Sequence, residues 1–108
     1  MPLPPLDVKH AYYKFYFYLK LDQLGAGWDR DRVVEEVNDQ GGACFSGSCP
    51  ELYREKAFVS TYGEHPRLTN AAKLGDESMM LPCHPGLSKE YLEFNLAVIK
   101  NVLRGAVK

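Results

Sequence analysis

The first regular pattern in the chain is an alternation of side chains in AYYKFYFYLKLD, residues 11–22. The odd-numbered positions from 13 to 19 are all large and apolar or aromatic, namely Tyr13, Phe15, Phe17 and Leu19. The other side carries tyrosines and lysines, namely Tyr12, Lys14, Tyr16, Tyr18 and Lys20. A period of two with aromatic residues is typical of a β-strand that buries one face. We therefore predict a long strand with its odd-numbered face in the core and an amphipathic, tyrosine-rich face outside it.

Two segments show the three-to-four-residue period of an amphipathic helix. Asp29 is the expected N-cap of the first helix, RDRVVEEVNDQ, and Gly41 is its expected end. The apolar stripe of this helix is narrow and consists of Val33, Val34 and Val37. Ser88 is the expected N-cap of the last helix. The predicted buried face of the last helix consists of Leu92, Leu96, Ile99 and Leu103, with Val98 and Val102 beside them.

Shorter elements are predicted between these two helices. The segments ACFS, residues 43–46, and SMMLPC, residues 78–83, have the composition of short strands. PELYREKAF favours a helical turn, and RLTNAAKLG favours a short helix that ends at Gly75. The predicted fold class is α+β, an α/β sandwich. It consists of a small, mainly antiparallel sheet of three to four strands with helices packed on one face.

The size and charge of the chain narrow its possible functions. A chain of 108 residues suits one domain, and a formal net charge of -1 gives no electrostatic support for binding nucleic acid. No apolar run approaches the roughly 20 residues that span a bilayer, and the N-terminus lacks a signal-peptide pattern. We therefore expect a cytoplasmic protein with reduced thiols, no nucleic-acid partner and no membrane association. Because of Pro2, Pro4 and Pro5, residues 1–9 are expected to be a linker or crossover from a missing upstream domain, and residues 10–108 the domain itself.

The segment GGACFSGSCP, residues 41–50, concentrates the candidate chemistry. Cys44, Cys49, Cys83 and His84 form a nominal zinc set, but the Cys44–Cys49 spacing exceeds the usual gap of about two to four residues. The segment also departs from the Gly-x-Ser-x-Gly motif and lacks the lysine of a phosphate-binding loop. A metal site is therefore not expected, and Cys44 is interpreted as a small buried apolar group. A thiol-dependent enzyme that uses Cys44 or Cys49 is an alternative hypothesis.

Three longer segments together resemble the C-terminal region of the DegT/StrS-type sugar aminotransferases. These are pyridoxal-phosphate enzymes of the aspartate-aminotransferase fold, also called fold type I. The segments are HAYYKFYFYLKL, DRDRVVEEVNDQGG and LPCHPGLSKEYLEFNLAVIKNVL. The matching motif positions are His10, Tyr12, Asp29 to Gly41, Ala57, Phe58, Leu81, Pro82, His84, Pro85 and Leu87. The resemblance covers residues 8–104 and implies that this chain is the small C-terminal domain of such an enzyme.

The resemblance also implies where catalysis takes place. In the family, the lysine that holds pyridoxal phosphate, the aspartate that pairs with its ring nitrogen and the phosphate-binding residues belong to a large N-terminal domain. The chain without that domain would carry no catalytic residue and bind no cofactor. The implied parent is a homodimer that makes a nucleotide-linked amino sugar for surface polysaccharide, lipopolysaccharide or glycoside biosynthesis. The alternative is a free-standing, non-catalytic interaction module of the same fold.

One loop departs from the family pattern. Gly47 and Ser48 stand where the family has a histidine and a tyrosine, Cys49 replaces a proline, and Tyr53 replaces a second histidine. In the family this loop lies near the cofactor and the sugar. The residues expected to line the substrate cleft are therefore His10, Tyr12, Cys44, Phe45, Ser46, Gly47, Ser48 and His84.

Overall fold

A computed structural model describes residues 4–108 of the protein, so residues 1–3 of the expected linker lie outside the described residues. The strands and helices, in chain order, are β1 Lys14–Tyr18, α1 Arg30–Asp39, β2 Phe45–Ser46, α2 Lys56–Tyr62, α3 Thr69–Glu77, β3 Ser78–Pro82 and α4 Lys89–Ala106. Two 3₁₀-helical turns lie at Leu21–Gln23 and Leu52–Arg54. Within the described part of the chain, no helix combines the length and the apolar character needed to cross a membrane.

The strands form one antiparallel sheet in the order β1-β3-β2, so the strand that comes last in the chain lies in the centre. Phe17 of β1 pairs with Met79 of β3, and Phe45 of β2 pairs with Met80. The sheet is open, because β1 and β2 are both edge strands. The predicted α+β class, with a small three-stranded antiparallel sheet, is confirmed.

The apolar core lies between one face of the sheet and helices α1 and α4. Its buried residues are Leu19, Leu24, Val33, Val37, Cys44, Met79, Val98, Ile99, Val102 and Ala106. Phe17 and Leu81 pack against this cluster from the sheet. The prediction for the odd-numbered face of the first strand is thus confirmed at Phe17 and Leu19. It is wrong at Tyr13, which lies before β1 and is 88% exposed.

The ends of the two long helices follow from local chemistry. The Asp29 side chain accepts a hydrogen bond from the Arg32 N–H at 2.8 Å, and the Ser88 hydroxyl accepts one from the Tyr91 N–H at 3.1 Å. Each bond satisfies a backbone donor that has no partner inside the helix. Gly41, just beyond α1, has a φ of +81°, a conformation that glycine adopts readily. All three predicted helix signals are confirmed.

The buried face of α4 follows the prediction at Val98, Ile99 and Val102, which are buried, but differs from it in the first half of the helix. Leu92 and Leu96 are 42% and 48% exposed, whereas Asn95 is only 3% exposed. The Asn95 amide accepts from the Ala43 N–H at 2.7 Å and donates to the Ala43 carbonyl at 3.1 Å. Gly42 permits this approach, since a Cβ there would lie 2.8 Å from Asn95 Oδ1. The apolar period placed the leucines inside, but this polar contact to the chain before β2 brings the adjacent side of the helix inward.

Helix α3 also differs from the prediction, which ended it at Gly75. The helix continues through Gly75 to Glu77 and passes directly into β3. Gly75 packs against the ring of Pro50, where a Cβ would lie 2.5 Å from a ring carbon. This glycine therefore serves a close contact and does not end the helix.

Residues 47–77, called the arm from here on, contain no fully buried residue. The arm comprises the turn Leu52–Arg54 and helices α2 and α3, and it connects β2 to β3. The radius of gyration of the protein is 16.2 Å, compared with about 13 Å for a compact domain of this length. The protein is therefore extended, and neither the arm nor residues 4–13 add a buried residue to the apolar core.

Candidate functional site

The predicted cleft residues form two groups along the sheet. Lys14 pairs with Pro82, so the residues before β1 and after β3 lie at one end, where Cys83 Sγ is 3.8 Å from the Ala11 carbonyl. His10, Tyr12 and His84 belong to this end. The other predicted residues, Cys44 to Ser48, form β2 and the turn after it, which continues toward the start of β3. Phe45 pairs with Met80, about 7 Å from Pro82 at about 3.4 Å per residue, and the Gly47 N–H binds the Ser78 carbonyl at the far end of β3. The eight residues therefore spread along the sheet, with Gly47 and Ser48 farthest from the histidines.

A tyrosine connects the turn after β2 with the first strand. The Tyr16 hydroxyl lies 3.4 Å from the Ser48 hydroxyl, within hydrogen-bonding distance. Tyr16 pairs with Met80, and Met80 pairs with Phe45, so these three side chains share one face of the sheet. This is the face opposite Phe17 and Met79, and hence opposite the core.

The open sheet face, as we call it, consists of Lys14, Tyr16, Tyr18, Phe45, Met80 and Pro82. No helix of the core covers it, and Tyr18 and Phe45 are 40% and 48% exposed. The face combines aromatic rings with two phenol hydroxyls and one ammonium group. Such a surface can pack against an apolar partner or a sugar ring while donating hydrogen bonds to its hydroxyls. The prediction that the tyrosine-rich face of the first strand lies outside the core is thus confirmed.

The two predicted histidines each stabilise a local turn. His10 Nδ1 accepts from the Tyr12 N–H at 2.9 Å, and His84 Nδ1 accepts from the Gly86 N–H at 3.2 Å. An accepting Nδ1 places the ring proton on Nε2, so each ring can offer one donor to a ligand. Tyr12 has a φ of +51°, and its ring contacts that of His10 with centroids 4.4 Å apart and planes tilted by 50°. A non-glycine residue in this conformation costs about 1–3 kcal/mol, and such residues concentrate at ligand sites.

The turn after β2 is held at the Ser78 carbonyl by two contacts that the sequence did not reveal. The Ser78 carbonyl accepts from the Gly47 N–H at 3.3 Å and from Arg30 Nη1 at 2.8 Å. A Cβ at Gly47 would collide with the Ser78 hydroxyl, so glycine is required for this approach. Arg30 starts α1 and is far from the turn in sequence, and no short motif could have indicated its role.

The cysteines do not form a reactive or metal-binding group. Cys44 is fully buried in the core, and burial raises the pKa of its thiol to about 11. Its interpretation as a buried apolar group is confirmed, so it offers only its backbone to a cleft. Cys49 is exposed, but a hydrogen bond from its thiol to Glu55 Oε1 at 3.1 Å raises its pKa. Neither thiol has the lowered pKa of a nucleophile. Residues 4–108 contain no group of three or more His, Cys, Asp or Glu side chains placed to hold a metal ion.

A cluster of polar side chains in the arm was missed by the sequence patterns. Glu51 accepts hydrogen bonds from the Tyr53 hydroxyl at 2.7 Å, from Arg67 Nε and Nη2 at 3.0 Å each, and from Arg54 Nη1 at 3.3 Å. The Tyr53 hydroxyl in turn accepts from the Leu68 N–H at 2.8 Å. The hydrogen bonds from Arg67 and then Tyr53 lower the Glu51 pKa to about 2. The three-residue spacing of Glu51 and Arg54 is the one feature of the cluster that the sequence could have indicated. Arg67 lies 16 residues from Glu51 in a segment without periodicity, so no local pattern predicts their contact. The side chains of Glu51, Tyr53, Arg54 and Arg67 are called the Glu51 cluster below.

Comparison with known proteins addresses the fold directly. Neither the models of known protein families nor the curated proteins contain a match to this sequence. The X-ray structure of the aminotransferase from Psychrobacter cryohalolentis matches with a TM-score of 0.83 and 42% sequence identity, over 90% of this chain and 25% of that one. The fold is that of a small aminotransferase domain. The aminotransferase TlmJ from Streptoalloteichus hindustanus shares this fold with a TM-score of 0.76 at 21% identity, over 96% of this chain and 25% of its own. The chain thus spans about a quarter of the length of these aminotransferases.

The described residues do not fit a pyridoxal phosphate site by themselves. Such a site needs a lysine amine in a pocket where it can form an imine with the cofactor. Lys14, on the open sheet face, is half-buried, and its Nζ lies 5.8 Å from the centroid of the Tyr13 ring. The other lysines among residues 4–108 are exposed. We therefore derive no catalytic step from this chain alone.

Proposed function

We propose that this chain is the C-terminal domain of a pyridoxal-phosphate-dependent aminotransferase that makes a nucleotide-linked amino sugar. The observation that supports this most strongly is the 42% identity to a solved aminotransferase over 90% of the chain. The choice of a sugar as substrate rests on the DegT/StrS-type motifs, above all the turn LPCHPGL, residues 81–87, before the last helix. The product would serve surface polysaccharide, lipopolysaccharide or glycoside biosynthesis.

In this proposal, residues 10–108 are the small domain and residues 1–9 cross over from a large N-terminal domain that binds pyridoxal phosphate. The cofactor would supply the electron sink for moving an amino group, and the large domain would supply its lysine. The active enzyme would be a homodimer. The 108-residue chain would then be inactive by itself, because none of its described lysines is placed to hold the cofactor.

The contribution of this chain would be to form one wall of the cleft between the two domains. The Nε2–H groups of His10 and His84 would donate to substrate hydroxyls at one end of the sheet. At the other end, the Ser48 hydroxyl, held by Tyr16, would do the same. The rings of the open sheet face would pack against the sugar and exclude water. Fixed polar groups of this kind orient a ligand more than they raise its affinity.

A direct test compares the 108-residue chain with the full product of the reading frame that contains it. Each protein is incubated with pyridoxal phosphate and assayed for visible imine absorbance, borohydride trapping and glutamate-dependent amination of a nucleotide-linked keto sugar. We expect no stoichiometric trapping by the 108-residue chain, and both trapping and amination by the longer product. Stoichiometric trapping by the short chain would contradict the proposal, as would a longer product that traps the cofactor but aminates no nucleotide-linked sugar.

A second candidate function is an interaction module of the same fold, and the extended shape of the protein favours it. The arm exposes several large apolar side chains, namely Leu52, Phe58, Tyr62, Leu68 and Leu74. Exposed apolar groups at this density are typical of a surface that a partner covers. A reading frame that begins at Met1 and encodes no lysine-bearing domain would support this function and exclude the first. Self-association in sedimentation would be compatible with both.

A further inference from the structure

The arm carries a groove that shares no residue with the open sheet face. The groove lies between the turn Leu52–Arg54, helix α2 and the segment that follows α2, with a volume of about 550 Å³. Its polar lining comes from Tyr53, Arg54, Lys56, Ser60, Glu64 and His65. Small-molecule sites usually have volumes of about 300–1,000 Å³, so the groove is large enough for a nucleotide-sized ligand.

The cationic wall of the groove suits phosphate groups. Arg54 is 3.3 Å from Glu51, but Arg67 also binds Glu51 through two of its nitrogens. Two guanidinium groups therefore share one carboxylate, and this trio keeps a positive charge. Lys56 is exposed at the start of α2 and belongs to none of the ion pairs found among residues 4–108. Arginine and lysine are the side chains that bind phosphate oxygens most strongly.

Two aromatic rings in the groove are held in place by their own hydrogen bonds. The rings of Tyr53 and His65 have centroids 5.2 Å apart and are tilted by 58°. The Tyr53 hydroxyl is fixed between Glu51 and the Leu68 N–H, and His65 Nδ1 lies 2.7 Å from the Pro66 carbonyl. A nucleic-acid base can stack on ring faces of this kind, and such stacking contributes about 1–3 kcal/mol per base.

Glu64 distinguishes a nucleotide from a bare phosphate. Its carboxylate would repel a simple anion, but it can accept hydrogen bonds from a ribose diol, as acidic residues do in dinucleotide-binding folds. The groove thus offers a separate group for each part of a nucleotide. Two of these groups, Tyr53 and Arg54, are held by Glu51, and such preorganisation lowers the entropic cost of binding.

We propose that this groove binds a nucleoside diphosphate. The phosphates contact Arg54 and Lys56, the ribose hydroxyls contact Glu64, and the base stacks on Tyr53 and His65. The assignment deepens the proposed function, on which it rests for the source of the ligand, namely the nucleotide half of a sugar-nucleotide substrate. Binding itself needs neither the cofactor nor the transfer reaction, so it can be measured separately.

The first test is an NMR titration of the ¹⁵N-labelled 108-residue chain with the diphosphates of uridine, thymidine, guanosine and adenosine. We expect at least one to give saturable shifts of amides in residues 53–65, with binding that weakens as salt is added. Inorganic pyrophosphate should bind about tenfold more weakly, because it lacks the base and the ribose. Equal affinity for pyrophosphate would overturn the nucleoside part of the proposal. No saturable shift with any of the four, or shifts centred elsewhere, would overturn all of it.

The second test uses a matched pair of lysine variants. Lys56→Ala should weaken binding about tenfold, since it removes one charge-assisted contact to phosphate. Lys100→Ala removes an exposed lysine from α4, outside the groove, and should leave the affinity unchanged. Circular-dichroism melts of both variants verify that they fold. Equal affinities of the folded Lys56→Ala and Lys100→Ala chains would overturn the assignment of Lys56.

The same variants in the full reading-frame product separate the two proposals. Lys56→Ala should raise the KM for the nucleotide-linked sugar about tenfold, with little change in kcat. An unchanged KM in an active enzyme would overturn the groove and leave the proposed function in place. A longer product that binds the nucleotide through Lys56 but aminates no sugar would overturn the proposed function and leave the groove in place.

Discussion

The core and the arm of this protein are ordered by different kinds of interaction. In the core, the sheet, α1 and α4 bury a continuous set of apolar side chains around Met79. In the arm, no side chain is fully buried, and polar contacts of the Glu51 cluster join residues 51–54 to residues 67 and 68. Apolar burial is non-directional and involves no titrating group, whereas a cluster of charged hydrogen bonds depends on pH and salt. We therefore expect the core to determine whether the protein folds, and the Glu51 cluster to determine how the arm presents its polar groups.

The largest expected difference between the two regions is in the stability lost when an apolar side chain is truncated to alanine. Met79→Ala removes a fully buried side chain at the centre of the sheet and should lower the free energy of unfolding by about 2–5 kcal/mol. Leu74→Ala, in the half-exposed surface of α3, should cost less than about 1 kcal/mol. Urea unfolding followed by circular dichroism measures both. Similar losses in the two variants would mean that the arm belongs to the same apolar core.

The next largest effect concerns the buried amide of α4. Asn95→Ala leaves the N–H and carbonyl of Ala43 without their partner and should cost about 1–3 kcal/mol. Asn101→Ala, on the same helix, removes an exposed amide that donates to Gln40 at 3.2 Å, and should change stability by about 0.5 kcal/mol or less. If the two variants unfold at the same urea concentration, Asn95 does not set the rotation of α4.

A smaller and local effect is expected from acid. The folded arm lowers the Glu51 pKa from 4.5 to about 2, so the ionised carboxylate favours the folded arm. This contribution is fully present above pH 4.5 and is lost as the pH falls toward 2. Over this range the Leu68 amide signal should shift and lose protection from exchange, while amides of α4 such as that of Ile99 stay protected.

Two variants at acidic positions make this pH prediction specific. Glu51→Gln should abolish the acid-dependent change at Leu68, because the neutral amide cannot titrate. Glu93→Gln, which removes an exposed carboxylate paired with Lys89, should preserve the change. If the Leu68 signal changes with pH in the same way in the unmodified protein and in both variants, the ionisation of Glu51 does not stabilise the arm.

The smallest expected effect is on thiol reactivity. Cys44 should resist iodoacetamide at pH 8 until the protein unfolds, because it is buried and its pKa is raised to about 11. Cys49 should react more slowly than a free cysteine, since its hydrogen bond to Glu55 raises its pKa. Mass spectrometry of timed samples measures both rates, and a Glu55→Gln variant should accelerate the reaction of Cys49. Faster alkylation of Cys49 than of free cysteine would support the alternative hypothesis of a thiol-dependent enzyme.

Sequence patterns predicted the core much better than the arm. The caps at Asp29 and Ser88 and the stop at Gly41 depend on residues within one helical turn, so the local sequence contains the whole signal. The alternation in the first strand likewise predicted that Phe17 would pack against the core. In the arm, Gly75 carried the usual signal of a helix end, but its contact with Pro50 gave it a different role.

The candidate site shows the same limit. The sequence selected His10, Tyr12 and His84, and the pairing of β1 with β3 places all three at one end of the sheet. It could not show that Cys44 is buried in the core or that Ser48 lies within reach of Tyr16, because both facts depend on how β2 joins the sheet. The pattern of apolar and polar positions predicted neither the groove in the arm nor the Glu51 cluster.

The sequence by itself determined the starts of α1 and α4, the end of α1 and the core-facing sides of β1 and α1, because these depend on neighbours within a few positions. The tertiary structure alone decided the strand order β1-β3-β2, the rotation of α4 around Asn95 and the contact of Glu51 with Arg67. Each of these joins residues far apart in the chain. Whether they meet depends on where the backbone returns, which local periodicity does not encode.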